Sequence, residues 1–162
     1  MADAHSFLIH IPLVLFPVFT VLWGMNLFLK NRAITVTATS LLAVGMLFAV
    51  LALLSGQQAA ALLQEQNSLR AAKGLSLMPR EAVTTHTDYA TSVVWLWAGI
   101  LFGALFVTLQ DGLGKRNEDR IRLWKLILLL AAIAGCWFLW LTGSSGGEIV
   151  HRYGIGSELL KP

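Results

Sequence analysis

The sequence predicts an all-α integral membrane protein: a four-transmembrane-helix up-down bundle with both termini on the non-cytoplasmic side. Three observations carry that expectation. Charged residues make up only 13% of the 162 residues and hydrophobic ones 56%, against about 25% charged in an ordinary soluble domain. The charge deficit is concentrated in four long apolar runs. Lys and Arg gather at the short connections between them.

The chain reads as a single domain, 1–162, with spans at about 6–29, 34–58, 87–110 and 121–143 and a C-terminal tail over 144–162. Each run approaches the roughly 20 residues needed to cross a hydrocarbon core of about 30 Å. In lipid such segments must be helical, because a helix satisfies its own backbone hydrogen bonds. The first run contains Pro12 and Pro17, and the second can continue as a helix through SGQQAAALLQEQ, beyond the hydrocarbon. Lys30-Asn31-Arg32 is a tight turn that makes the first two helices antiparallel, and DGLGKRNEDRIR reads as a polar loop between the third and fourth. The longer connection, Gln64 to Thr85, carries Gly74 and Pro79 as breakers. No internal repeat is evident in the sequence. MADAHSF lacks the basic leader of a cleaved signal peptide, so the first span is expected to remain in the protein.

Orientation follows from the basic residues. The face with the short connections holds Lys30, Arg32, Lys115, Arg116, Arg120, Arg122 and Lys125, seven against five on the other. The five are Arg70, Lys73, Arg80, Arg152 and Lys161. A net charge of +3 is too small and scattered for nucleic-acid binding. Trp95, Trp97, Trp124, Trp137 and Trp140 are expected as interfacial anchors. Gly99 and Gly103, with Ala131, Ala132 and Gly135, supply small residues for close helix approach. Cys136 is the only cysteine, which excludes an internal disulfide and the usual covalent attachment of a c-type haem. It reads as a small residue buried in an apolar helix.

Chemistry-bearing residues collect on one side. All four histidines, His5, His10, His86 and His151, map to the non-cytoplasmic end. His10 is the most telling, since a polar ring within an apolar run is costly without a partner. Three readings stay open: interfacial histidines bonded to Asp88, Glu148 or backbone; a haem site; and a zinc or copper site. For haem, neutral imidazoles are axial ligands to iron, and bundles hold cofactors between facing helices. The first and third helices are diagonal, which makes His10 and His86 the preferred axial pair. His151 is an alternative ligand, or serves a second haem with His5, and Met78 is a weaker candidate. Asp88, Glu148, Thr84 and Thr85 are candidate acceptors for the second ring nitrogens. Arg80 and Arg152 are placed to meet haem propionates. In the tail GSSGGEIVHRYGIG, a helix end is expected after Gly143, with turns at Gly154 and Gly156.

The chain resembles a bacterial membrane family, domain of unknown function 2231. The likeness rests on His10-Ile11-Pro12, on His86 opening the third helix, and on Gly146-Gly147-Glu148-Ile149-Val150-His151-Arg152-Tyr153-Gly154-Ile155-Gly156. In that last signature the family places its histidine after the arginine, whereas His151 precedes Arg152. Links of some members to Rieske or cytochrome-like modules imply electron transfer. The expected function is therefore that of a membrane b-type haem protein, with one or two haem b groups, in the bacterial inner membrane. Its expected partners are the lipid bilayer, other redox subunits or a periplasmic c-type cytochrome, and a quinone. No nucleophile–base arrangement or nucleotide loop is present, and the chain is not expected to catalyse alone. The rival reading is a cofactor-free scaffold or anchor subunit of a membrane complex; a quinol-oxidising cytochrome subunit is a further alternative.

Overall fold

A computed structural model describes residues 2–74, 80–113 and 118–153. The described chain forms four helices: α1 (Ala2–Leu29), α2 (Arg32–Ala72), α3 (Arg80–Leu113) and α4 (Glu118–Tyr153). All four are long and apolar enough to cross a membrane, so the protein is a multi-pass membrane protein with a lipid bilayer as its surroundings. Successive helices pack on each other and α4 closes back on α1, while the diagonal pairs α1/α3 and α2/α4 make no backbone approach. The arrangement is an up-down four-helix bundle.

Three boundaries differ from the expected ones. First, α2 runs on to Ala72, 41 residues in all, or about 60 Å at 1.5 Å per residue, so one end projects well beyond a hydrocarbon core. It stops where Gly74 takes φ +66° and the Lys73 and Gly74 amides bond back to the Arg70 and Ala71 carbonyls, a glycine-terminated helix end. Second, α3 already begins at Arg80, which removes most of the expected long connection. Third, α4 continues through the Gly143–Gly147 stretch to Tyr153 rather than ending there. Its serine and threonine hydroxyls bond back along the helix: Thr142 to the Phe138 carbonyl, Ser144 to Leu141 and Ser145 to Thr142. The turns expected at Gly154 and Gly156, the Met78 ligand, and Lys115, Arg116 and Lys161 lie outside the described residues.

The inner faces reveal a duplication. The buried positions of α1 are Pro12, Phe16, Phe19, Trp23 and Asn26; those of α3 are Val93, Trp97, Ile100, Ala104 and Val107, each 81 positions later. Thr35, Ala38, Leu42 and Gly45 of α2 correspond in the same way to Lys125, Leu128, Ala132 and Gly135 of α4, at an offset of 90. The hairpins α1–α2 and α3–α4 are thus two copies of one unit related by a pseudo-two-fold axis along the bundle. On that axis the equivalent residues Phe16 and Trp97 stack on each other, ring centroids 4.3 Å apart. Each ring seats on the equivalent glycine. A Cβ on Gly45 would stand 2.8 Å from Phe16, and one on Gly135 2.8 Å from Trp97, closer than packed carbon atoms approach.

Trp97 is therefore core, not an interfacial anchor, and is fully buried; Trp95, Trp124, Trp137 and Trp140 are exposed on the outer surface. Of the two glycines at spacing four, Gly103 packs against Leu128, whereas Gly99 faces open space.

Candidate functional site

The duplication places two of the four histidines in equivalent settings. His5 Nδ1 lies 2.8 Å from the Ser55 hydroxyl, which donates to the Ala52 carbonyl at 2.8 Å. His86 Nδ1 lies 3.0 Å from the Ser145 hydroxyl and 3.1 Å from the Thr142 carbonyl, to which Ser145 donates at 2.9 Å. Each unit thus joins the first helix of its hairpin to the second. Its parts are an imidazole, a serine and the carbonyl three residues before that serine. A glycine follows the serine in both copies, Gly56 and Gly146, and a Cβ there would stand 3.1 and 3.0 Å from the imidazole Cε1 of His5 and His86. The glycines let each ring lie against the neighbouring helix.

The hydrogen bonds fix the chemistry. A carbonyl only accepts, and each serine hydroxyl spends its proton on one, so Nδ1 carries the imidazole proton. The Nε2 lone pair is then the basic and ligating atom of both rings. Tying Nδ1–H to a carbonyl or hydroxyl is how metal-bound imidazoles are oriented. Burial of His5 holds its pKa below the usual 6.5, with a hydrogen bond to the Ala52 carbonyl opposing in part. This keeps the ring neutral at physiological pH.

His86 stands near the start of α3, where the sequence placed it, and its counterpart on α1 in the duplication is His5. His10 lies on the exposed face of α1, and His151 is exposed on α4. Neither Asp88 nor Glu148 orients an imidazole in these contacts; Ser55, Ser145 and two backbone carbonyls do. Arg152 is exposed and pairs with Glu148 at 2.7 Å one helical turn away. Arg80, the first residue of α3, lines a solvent-open groove of about 640 Å³ with Gln57, Gln64, Asn67, Thr84 and Asp88. The groove adjoins the histidine level, since Gln57 and Thr87 in its wall follow Gly56 and His86.

A second polar constellation occupies the opposite end of the bundle, and the sequence reading missed it. Lys125 and Asp111, which looked like charges at a loop, are 6% and 3% exposed in their side chains and form an ion pair at 3.2 Å. The Thr35 hydroxyl stands 3.3 Å from the Asp111 carboxylate and 3.5 Å from the Lys125 ammonium. Asn26 donates to Thr35 at 2.5 Å and accepts from the Asn31 amide at 2.7 Å. One turn inward, Thr39 and Thr108 meet at 2.9 Å. The signal available in the sequence was the 14-residue separation of Asp111 and Lys125 across one connection, which puts both on facing helix ends. Between the two polar ends lies the aromatic core of Phe16, Phe19, Trp23 and Trp97.

Among the described residues no group of three His, Cys, Asp or Glu side chains converges to hold a metal ion. Neither the curated proteins nor the solved structures contain a significant match to the chain. A family model described as a predicted membrane protein, DUF2231, matches residues 2–159. With nearly the whole chain covered and four membrane-length helices in place, the protein belongs to this family of predicted membrane proteins.

Proposed function

We propose that this protein is a b-type haem electron-transfer subunit of the bacterial inner membrane, with its histidine end and both termini towards the periplasm. The observation that supports it is the duplicated imidazole–serine–carbonyl unit. Two diagonal helices each supply one neutral imidazole with Nδ1 anchored and Nε2 available. This donor set suits haem better than a bare ion. A structural zinc asks for about four protein ligands, whereas a haem brings four ring nitrogens and takes its axial ligands from the protein. The pseudo-two-fold axis passing between the imidazoles suits a flat, nearly symmetric macrocycle.

His5 and His86 are the proposed axial pair, in place of His10 and His86. Ser55 and Ser145 hold the tautomer and ring plane, and Gly56 and Gly146 let the rings lie close to α2 and α4. Arg80, at the rim of the groove, is the candidate partner for propionates. A bound haem would supply the one-electron chemistry; the protein orients it and excludes water. Redox subunits or a c-type cytochrome on the periplasmic side are the proposed exchange partners.

The test is a reduced-minus-oxidised absorption spectrum of detergent-purified protein with a pyridine haemochrome assay. The expected result is a b-type haemochrome with sharp α and Soret bands, lost in His5→Ala and His86→Ala and retained in His10→Ala and His151→Ala. A featureless spectrum from folded protein expressed with ample haem would sink the reading and favour a scaffold subunit.

A further inference from the structure

The groove between α2 and α3 has so far been used at one corner, where Arg80 sits. It stands beyond the hydrocarbon, because Gln57 follows the histidine level and α2 runs on past it to Ala72. Its volume of about 640 Å³ is many times the roughly 30 Å³ share of one water. The floor is alanine, leucine and valine, and the alanines leave the space between the helices open. The duplication shows that the shared fold does not ask for the polar wall. Gln57 and Asp88 answer in the other copy to Gly147 and Phe7.

The wall has a chemical order. Arg80 and Asp88 share one face of α3, about 12 Å apart at 1.5 Å per residue, with Thr84 between them and Thr87 beside Asp88. The Thr84 and Thr87 hydroxyls give their protons to the Arg80 and Val83 carbonyls at 3.1 and 2.9 Å, so they present lone pairs to the groove. Across it, Gln57 and Gln64 stand two turns apart on α2, each with amide donors and an acceptor. Among the described residues the side chains of Gln57, Gln64, Arg80 and Asp88 make no hydrogen bond or ion pair. The guanidinium at the outer end suits a carboxylate, and the carboxylate at the inner end suits an ammonium. The amides between them suit peptide groups, which also carry one donor and one acceptor. An extended chain advances about 3.3–3.6 Å per residue, so the span between the charges is three to four residues. A single amino acid is too short to reach both, and a sugar acid brings no ammonium for Asp88.

We propose that the α2–α3 groove binds an extended peptide of three to four residues with both ends free. Its carboxylate lies on Arg80, its ammonium on Asp88 and its amides on Gln57 and Gln64. This site does not rest on the haem reading, with which it shares only Arg80.

The test is calorimetric titration of the detergent-purified full chain with alanine oligomers of two to six residues. Saturable 1:1 binding is expected, tightest at three or four residues. Amidating the carboxylate of tetra-alanine, or acetylating its amine, should each weaken binding about tenfold. In Arg80→Gln the free and amidated peptides should bind alike, and in Asp88→Asn the free and acetylated ones should. Both side chains are exposed, so the variants should keep the thermal midpoint of the natural protein. Absence of saturable binding across the series would overturn the proposal. So would a terminal block that costs as much in the matching variant as in the natural protein. Haem content of the same samples is read separately: its absence would remove the electron-transfer reading and leave the peptide result standing.

Discussion

At the scale of single residues, protonation and charge burial decide the behaviour of both polar ends. His5 is held below its ordinary value of 6.5 by burial. In the window between that lowered value and 6.5, the unfolded chain binds more protons than the folded one, so stability falls as pH drops through it and is full above it. Thermal midpoints taken between about pH 8 and pH 5 are expected to decline on the acid side, and His5→Gln should flatten the decline. Acid should also weaken any ligand on Nε2, because the proton takes the same lone pair. At the other end, Lys125→Met removes the ammonium that pairs with the buried Asp111 carboxylate at 3.2 Å. The expected cost is about 3–5 kcal/mol in chemical unfolding, most of it recovered by the double change Lys125→Met with Asp111→Asn. Neither feature was legible in the sequence. His10 stood out because it interrupts an apolar run, but α1 is apolar on nearly every side, so its sequence does not say which face turns inward. Lys125 and Asp111 flank a charged connection and are indistinguishable there from solvated residues.

At the scale of helices, the four apolar runs were plain because length and hydropathy alone fix a membrane helix. Their ends were not, because hydrophobicity stops at the bilayer surface and these helices do not. Gly143, Gly146 and Gly147 suggested termination; hydroxyl-to-carbonyl bonds and the close approach of His86 to Gly146 keep α4 helical instead. The glycines divide by what faces them. Gly45→Ala places a methyl 2.8 Å from Phe16 on the bundle axis and is expected to destabilise by about 1–3 kcal/mol. Gly99→Ala meets open space and should be neutral or stabilise by up to about 1 kcal/mol through helix propensity. Unfolding of the two variants in one detergent compares them directly.

For the whole molecule the governing feature is the two-fold duplication of the hairpin. Its positions repeat while most of its core residues do not: Asn26 answers to Val107, Trp23 to Ala104, Thr35 to Lys125, and identity survives at a few places such as His5 and His86, Ser55 and Ser145, and the glycine pairs. The two offsets also differ because the second connection within a hairpin is longer than the first. A pattern of burial therefore survives where most of the letters have changed, and the repeat escapes the eye in sequence. Equivalence yields its own expectation. Ser55→Ala and Ser145→Ala should lower haem retention to a similar degree, with the double variant losing about the sum, as measured by haemochrome content after detergent washing; strong inequality would mean that one imidazole dominates.

The same equivalence bears on the order in which the chain is written. Ala2 of α1 and the last described turn of α4 lie at one end of the bundle, and so do Ala72 and Arg80, between which the two hairpins are joined. The hairpins touch through helix faces and not through that joint. A circular permutant that opens the chain between α2 and α3 and links α4 to α1 by a flexible segment should preserve every internal neighbour. In such a chain the second hairpin is translated first, and either half can enter the membrane ahead of the other.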